Sequence, residues 1–150
     1  MKLHILRHAK TEVNSLSGKD IDRKLAIKGM LQTDRLRVFF SKHTFSNTLF
    51  FSSTSTRTRE TILNALSNDI QASFVFSDLL YLANEEQLLH FIFSQDDCID
   101  LFIVGHNEGL SNLVSLLSRE LICLKTGEYV CLSFDCYKWS DVIHYKAVLS

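Results

Sequence analysis

Three short apolar runs along the chain each end in a turn that carries basic or hydrogen-bonding side chains. The runs span residues 2–7, 47–52 and 101–104. Their leucine, β-branched and aromatic content is typical of buried strands. Arg7-His8 ends the first run, a turn rich in serine and threonine leads from the second to Arg57, and Gly105-His106-Asn107 follows the third. The pattern therefore predicts three strands that each deliver Arg or His into the turn that follows.

Helical periodicity fills the intervals between these strands. A first helix is predicted over about 25–41, and its apolar residues stand among charges: Met30, Leu31, Leu36, Phe39 and Phe40. A second helix follows Arg57, with Thr58, Thr61, Ile62, Ala65 and Leu66 on one face. Asn84 with Gln87 three positions later predicts the start of a third helix. After Gly109, the spacing of Leu110, Leu113, Val114 and Leu117 predicts a fourth.

From residue 128 onward the apolar period changes from helical to alternating. Val130, Leu132 and Phe134 alternate with more polar residues, which predicts a half-buried strand. Residues 142–148 are expected to pair with it as a hairpin around 138–141. The whole order predicts an α/β fold, a three-layer α/β/α sandwich with a mixed, mostly parallel sheet. In such sheets ligands bind at the carboxyl ends of the strands, where the Arg and His residues stand.

Length and composition narrow the class of protein. At 150 residues the chain is expected to form a single domain, residues 1–150. A net charge of −1 provides no basic field for nucleic acid or an anionic membrane. No apolar run approaches the roughly 18 residues that span a bilayer, and the start lacks a signal-peptide core. The four cysteines form no Cys-x-x-Cys pair, so we expect reduced thiols and no zinc site. These features predict a soluble cytoplasmic protein.

The residues at the strand ends suit phosphoryl transfer. That reaction needs a nucleophile in line with phosphorus and donors that neutralise the equatorial oxygens. His8 can be the nucleophile if one ring nitrogen is deprotonated and the other is held by an acceptor. Arg7 and Arg57 offer forked donors that match phosphate oxygens. His106 can donate to a developing charge, and the adjacent Asn107 is expected to contact the substrate.

Five segments resemble the histidine phosphatase superfamily, specifically its short SixA-like branch of phosphohistidine phosphatases. The matching segments run nearly from end to end: Arg7 to Lys10, Asp20 to Leu25 with Gly29, Ser52 to Thr61, Val104 to Asn107, and Lys125 to Gly127 with Trp139 beyond. The resemblance implies a phosphoglycerate mutase-like fold and a phosphorylated His8. It also implies that Arg7, Arg57 and His106 bind the phosphoryl group and that no metal or cofactor is needed.

The chain departs from the family pattern at three positions where the family commonly has proline, and also in its proton donor. The chain contains no proline at all, and Lys24, Thr54 and Glu108 stand where the family commonly has one. Larger members carry an acidic donor in an insertion for which this chain is too short. Asp78 and Glu108 are the candidate donors, although Glu108 is expected rather to favour the adjacent helix start from solvent. A missing acid is tolerable if the leaving group is imidazole.

The sequence therefore predicts a metal-independent phosphatase that works through a phosphohistidine enzyme intermediate. We expect its substrate to be phosphohistidine on a protein. A small-molecule phosphomonoesterase using the same residues is one alternative, and a catalytically inactive phospho-binding or interaction module is another. In every case the expected partner is a phosphorylated protein or a small phosphorylated molecule, with no nucleic acid and no membrane.

Overall fold

The computed structural model describes all residues, 1–150, and has a six-stranded mixed sheet at its centre. In chain order the strands are β1 (Lys2–Arg7), β2 (Thr48–Ser53), β3 (Phe74–Ser77), β4 (Asp100–Gly105), β5 (Tyr129–Ser133) and β6 (Val148–Leu149). Their order across the sheet is β3-β2-β4-β1-β5-β6. The first four in this order run parallel, whereas β5 is antiparallel to both β1 and β6.

Five α-helices connect and cover the strands. They are α1 (Ile27–Phe40), α2 (Thr56–Ala65), α3 (Asn68–Ala72), α4 (Glu85–Phe93) and α5 (Gly109–Ser118). Short 3₁₀ turns form at Asp20–Asp22, Asp78–Leu80 and Trp139–His144. Asn84 and Gln87 cap the start of α4 reciprocally, as the sequence predicts. None of the helices combines the length and hydropathy that a bilayer-crossing segment requires.

Two hydrophobic cores lie on opposite faces of the sheet. On one face, Leu3 and Ile103 pack with residues of α4 and α5 and with the fully buried Trp139. On the other face, Leu6 and Phe102 pack with residues of α1 and α2. The sheet is therefore the middle of three layers, which confirms the predicted α/β/α sandwich with a mixed, mostly parallel sheet.

The buried face of α1 does not coincide with its apolar residues. Met30, Leu31 and Phe39 are all more than two fifths exposed. The buried positions are Gly29, Thr33, Leu36 and Phe40, which follow a helical stripe. Apolar residues alone do not reveal this stripe because two of its four members are glycine and threonine. Gly29 is needed there because a Cβ would collide with the backbone carbonyl of Lys10.

The carboxyl-terminal hairpin is shorter than predicted, and one strand was not predicted. Only Leu132 and Ser133 of β5 pair with β6. Residues 139–144 form a 3₁₀ turn instead, because Trp139 and Val142 bury their side chains in the core there. The unpredicted strand, β3, pairs with β2 at the edge of the sheet.

Candidate active site

The carboxyl ends of β1, β2 and β4 meet at one edge of the sheet. Arg7 pairs with Gly105 across the β1–β4 ladder, and Ser52 pairs with Val104 across the β2–β4 ladder. This register brings the three predicted turns together around an open cleft of about 290 Å³. Its lining residues are Arg7, His8, Lys10, Thr11, Asp20, Arg23, Arg57, Leu82, His106, Asn107 and Thr126.

His8 is fixed in the tautomer that leaves one ring nitrogen free. It follows β1 directly, and its backbone N–H donates to the carbonyl of Gly105 at 3.1 Å. The ring Nδ1 lies 2.8 Å from the carbonyl of Ala9, which can only accept, so Nδ1 carries the proton. Burial, reinforced by the charges of Arg57 and Arg7, lowers the pKa of His8 to about 4. The ring is therefore neutral near pH 7, with the lone pair on Nε2.

Arg57 and His106 form a buried hydrogen-bonded pair beside His8. The Ser55 side chain caps α2 and places Arg57 in its first turn, where the residue is 3 % exposed. Arg57 Nε donates to His106 Nδ1 at 3.2 Å, so the proton of the neutral ring sits on Nε2 and is donated to Ser53 Oγ at 2.8 Å. Burial, together with the charges of Arg57 and His8, lowers the pKa of His106 to about 3. The His106 and His8 ring centroids are 5.3 Å apart.

Asp20 supplies the one carboxylate that lines the cleft. It accepts hydrogen bonds from Arg57 Nη2 at 2.9 Å, from Arg23 Nη1 at 3.0 Å and from the Tyr81 hydroxyl at 2.8 Å. Burial alone would raise the pKa of Asp20, but the hydrogen bonds from Tyr81, Arg23 and Arg57 outweigh it and lower the pKa to about 2. Asp20 is therefore ionised and occupies part of the Arg57 fork.

Sequence reasoning assigned no role to three residues of this network. Asp20 and Arg23 stand in a segment that resembles the family pattern, and their Asp-x-x-Arg spacing was the available signal. Tyr81 lies 61 positions from Asp20, and nothing in its sequence surroundings indicates the contact. Its ring edge meets His106 at a centroid distance of 5.4 Å. The residue therefore fixes the positions of Asp20 and His106 together.

Arg7 and Asn107 also line the cleft, each held by one contact. Arg7 Nη1 donates to the carbonyl of Leu124 at 2.6 Å, whereas its buried Nε has no partner within the protein. Asn107 Oδ1 accepts from Ser111 Oγ at 2.7 Å, which directs the side chain. Both side chains therefore keep donors that no protein group satisfies, as expected for groups that bind an anion.

The two predicted proton-donor candidates lie outside the cleft. Asp78 is exposed, accepts from Thr54 Oγ1 at 2.6 Å and lines a neighbouring cavity, because its 3₁₀ turn directs it back toward the β2–α2 turn. Glu108 precedes α5 and is exposed, where its charge favours the positive helix end. The structure therefore brings neither Asp78 nor Glu108 to His8. The histidines His43, His90 and His144, which stand outside every motif, are exposed.

Comparison with known proteins identifies the relatives of this chain. Residues 3–75 match the model of the histidine phosphatase superfamily (branch 1). An uncharacterised chloroplastic protein of Arabidopsis thaliana is 28% identical over 151 residues, covering 93% of this chain and 69% of that protein.

Solved structures share the fold over nearly the full length. A protein from Nakamurella multipartitia, assigned as phosphohistidine phosphatase SixA, superposes with a TM-score of 0.83 at 22% identity and covers 99% of this chain and 92% of its own. A phosphoglycerate mutase from Thermus thermophilus gives a TM-score of 0.63 at 15% identity, with 92% and 96% covered. The fold is therefore the predicted phosphoglycerate mutase-like one. The first half of the chain is therefore similar to the histidine phosphatase superfamily, and the whole chain shares the fold of these solved structures.

Proposed function

We propose that the protein is a metal-independent phosphatase that dephosphorylates phosphohistidine on a protein through a phosphorylated His8. The observation that carries the mechanism is the tautomer of His8, whose Nδ1–H is held by the carbonyl of Ala9. Its Nε2 lone pair faces no protein donor and is available for attack. A module that only binds phosphate gains nothing from such a ring, which argues against the inactive alternative.

The first half-reaction transfers the phosphoryl group to His8. The Nε2 lone pair forms the new N–P bond while the P–N bond to the substrate imidazole breaks and returns its electron pair to that ring. Arg7 and Arg57 stabilise the equatorial oxygens, and those oxygens compete with Asp20 for the Arg57 fork. His106 adds its Nε2–H by exchanging Ser53 Oγ for a phosphoryl oxygen. Water then attacks phosphorus, inorganic phosphate leaves, and His8 recovers its lone pair. The two arginines supply the charge neutralisation that a metal ion provides in other phosphatases.

The cleft has no suitable proton donor, which favours a nitrogen leaving group. Asp20 is ionised and engaged by three donors, so it is a poor proton donor, and Asp78 and Glu108 lie elsewhere. An alkoxide leaving group needs a proton at the bond that breaks. In a phosphorylated imidazole, the ring nitrogen that is not bonded to phosphorus can instead accept a proton from water. The imidazole then leaves as a neutral ring. The site therefore suits phosphohistidine better than sugar or glycerate phosphates.

Trapping the intermediate tests the mechanism. Brief incubation with labelled phosphoramidate, quenched without acid, should leave label on His8 that is labile to acid and stable to base. His8→Ala should abolish labelling and turnover, whereas His43→Ala, which changes an exposed histidine, should retain both. EDTA should leave turnover unchanged. Label on serine, or a metal requirement, would contradict the proposal.

A small-molecule phosphomonoesterase is the second candidate because a cleft of about 290 Å³ is large enough for a small phosphate ester. The two candidates differ in their dependence on the leaving group. If no acid assists, turnover of aryl phosphates should fall steeply as the leaving phenol becomes more basic, while phosphoramidates remain good substrates. Asp78→Asn and Glu108→Gln should change either activity by a small factor. A loss of about 10²–10⁴-fold on esters would instead identify a general acid and favour this second candidate.

A further inference from the structure

A second groove opens beside the phosphate cleft, between α1 and the loop of residues 124–128. Its volume is about 370 Å³, and Thr126 lines both the groove and the cleft. Arg35 and Phe39 line it from α1, and Lys125 lines it from the loop. The two openings therefore form one continuous surface that begins at His8 and extends along α1.

Backbone hydrogen bonds hold this groove at a fixed place relative to the nucleophile. The Gly127 N–H is shared between the carbonyls of Arg7, at 3.2 Å, and His8, at 3.0 Å. Gln32 spans the junction, because its Oε1 accepts from the Lys10 N–H at 2.8 Å and its Nε2 donates to Thr126 Oγ1 at 3.1 Å. A chain segment bound in the groove would thus keep a defined distance from His8.

The groove is positively charged in a protein whose net charge is −1. Arg35 and Lys125 are exposed, and neither forms an ion pair within the protein. Lys10 extends the positive surface at the junction with the cleft. The one acidic residue that lines the groove is Glu128, whose carboxylate accepts the backbone N–H of Lys125. Phe39, 41% exposed, adds an apolar surface between the charges.

We propose that this groove binds an acidic segment of the protein substrate next to its phosphohistidine. The inference rests on the proposed function, since it assumes that the substrate is a polypeptide. Unpaired cations beside the reaction site attract aspartate and glutamate side chains and align the chain that carries them. The groove adjoins the cleft directly, so the acidic residues stand within a few positions of the phosphohistidine. Phe39 is placed to contact an apolar side chain of the same segment.

Two synthetic phosphohistidine peptides test this assignment. They share length and sequence except that one has three glutamates beside the phosphohistidine and the other has three glutamines. The wild-type protein should show a higher kcat/KM for the glutamate peptide, mainly through KM. The preference should decrease as ionic strength rises from about 0.05 to 0.5 M, because the charges are exposed.

Charge-reversal variants locate the preference in the groove. Arg35→Glu and Lys125→Glu should each reduce the ratio of the two kcat/KM values by about three- to tenfold, since each replaces an attraction by a repulsion. Lys138→Glu is the matched control. It makes the same charge change beyond the end of β5, which is antiparallel to β1 and therefore ends at the opposite edge of the sheet.

The outcomes separate this proposal from the proposed function. Equal kcat/KM values for the two peptides, or a preference that survives Arg35→Glu and Lys125→Glu together, would overturn the groove assignment while phosphohistidine turnover stands. A protein that hydrolyses neither peptide, yet cleaves an activated aryl phosphate, would refute the protein-phosphohistidine substrate itself. A lower ratio in Lys138→Glu as well would mean that overall charge, not the groove, sets the preference.

Discussion

At the scale of single residues, the protonation of two buried imidazoles defines the site. Their pKa values, about 4 for His8 and about 3 for His106, follow from burial next to Arg57 and Arg7. A neutral His8 is the nucleophilic form, and a neutral His106 can hold Arg57 without repelling it. The sequence predicted these residues because each stands at a strand end. It could not predict Tyr81, whose contacts depend on a fold that brings distant positions together.

The low pKa of His8 predicts activity in mildly acidic solution. A ring with a pKa of about 4 loses its lone pair to a proton only well below the ordinary 6.5 of histidine. The acid limb of kcat/KM, corrected for ionisation of the substrate, should therefore fall below about pH 5. An acid limb centred near 6.5 would mean that His8 titrates like an exposed histidine and would contradict the buried environment.

A second prediction at this scale concerns the loss of activity when the Arg57 side chain is removed. Arg57→Ala should lose about 2–4 kcal/mol of transition-state stabilisation, the value typical of one preorganised donor. Its removal also leaves His106 Nδ1 and Asp20 without their shared partner. Arg59→Ala is the matched control, because Arg59 is exposed two positions along the same helix and lies over Phe76. With phosphoramidate as substrate, kcat/KM of Arg57→Ala should be at least tenfold lower than kcat/KM of Arg59→Ala. Equal values would refute the role of Arg57.

At the scale of elements, patterns of apolar residues predicted where helices form better than which way they face. The stripe of α5 was predicted correctly because Leu110, Leu113, Val114 and Leu117 are all large and apolar, and all four are buried. The buried stripe of α1 contains Gly29 and Thr33, which no hydrophobic pattern selects. Close approach to the Lys10 backbone determines that face, and such an approach is a property of the folded chain.

The orientation of α1 predicts unequal effects of two leucine truncations. Leu36 is 8 % exposed and packs in the core beneath the sheet, whereas Leu31 is 58 % exposed. Leu36→Ala should reduce the free energy of unfolding by about 2–5 kcal/mol, the usual cost of a core cavity. Leu31→Ala should change it by about 0.5 kcal/mol or less. Urea denaturation of both variants measures the difference, and the reverse ranking would show that α1 is rotated.

At the scale of the whole molecule, the layered architecture followed from the order of elements, but the sheet order did not. The central position of β1 depends on pairing with β4 and β5, which lie far along the chain: Leu3 pairs with Leu101, and Lys2 pairs with Ser133. An apolar pattern predicts that a strand is buried, but it does not indicate which strands pair with it in the sheet. The location of the site was nevertheless predictable, because parallel strands align their carboxyl ends whatever their order.

Buried histidines also make the stability of the whole fold depend on pH. Burial lowers the pKa of His4 to about 4, as it does for His8, while the unfolded chain titrates near 6.5. Between these values the unfolded state binds more protons, so the free energy of unfolding falls as pH falls from about 6.5 to 4. Each such histidine contributes up to about 1.4 kcal/mol per pH unit.

Thermal unfolding at several pH values between 4 and 7 measures this dependence. His8→Asn should reduce the slope of the unfolding free energy against pH, because one of the buried titrating groups is removed. His90→Asn changes an exposed residue of α4 and should leave the slope as in the wild type. A wild-type slope near zero over this range would contradict the lowered pKa values.

The single tryptophan gives the protein a built-in optical reporter. Trp139 is fully buried, its backbone N–H is held by Asp97, and its ring lies edge-on to Phe134. It follows β5 at the edge of the sheet opposite the phosphate cleft. Its emission should therefore shift to longer wavelength when the core opens to water and stay constant when an anion binds near His8. The intrinsic fluorescence of Trp139 can thus report unfolding without responding to ligand binding at the cleft, in the same sample and without an attached dye.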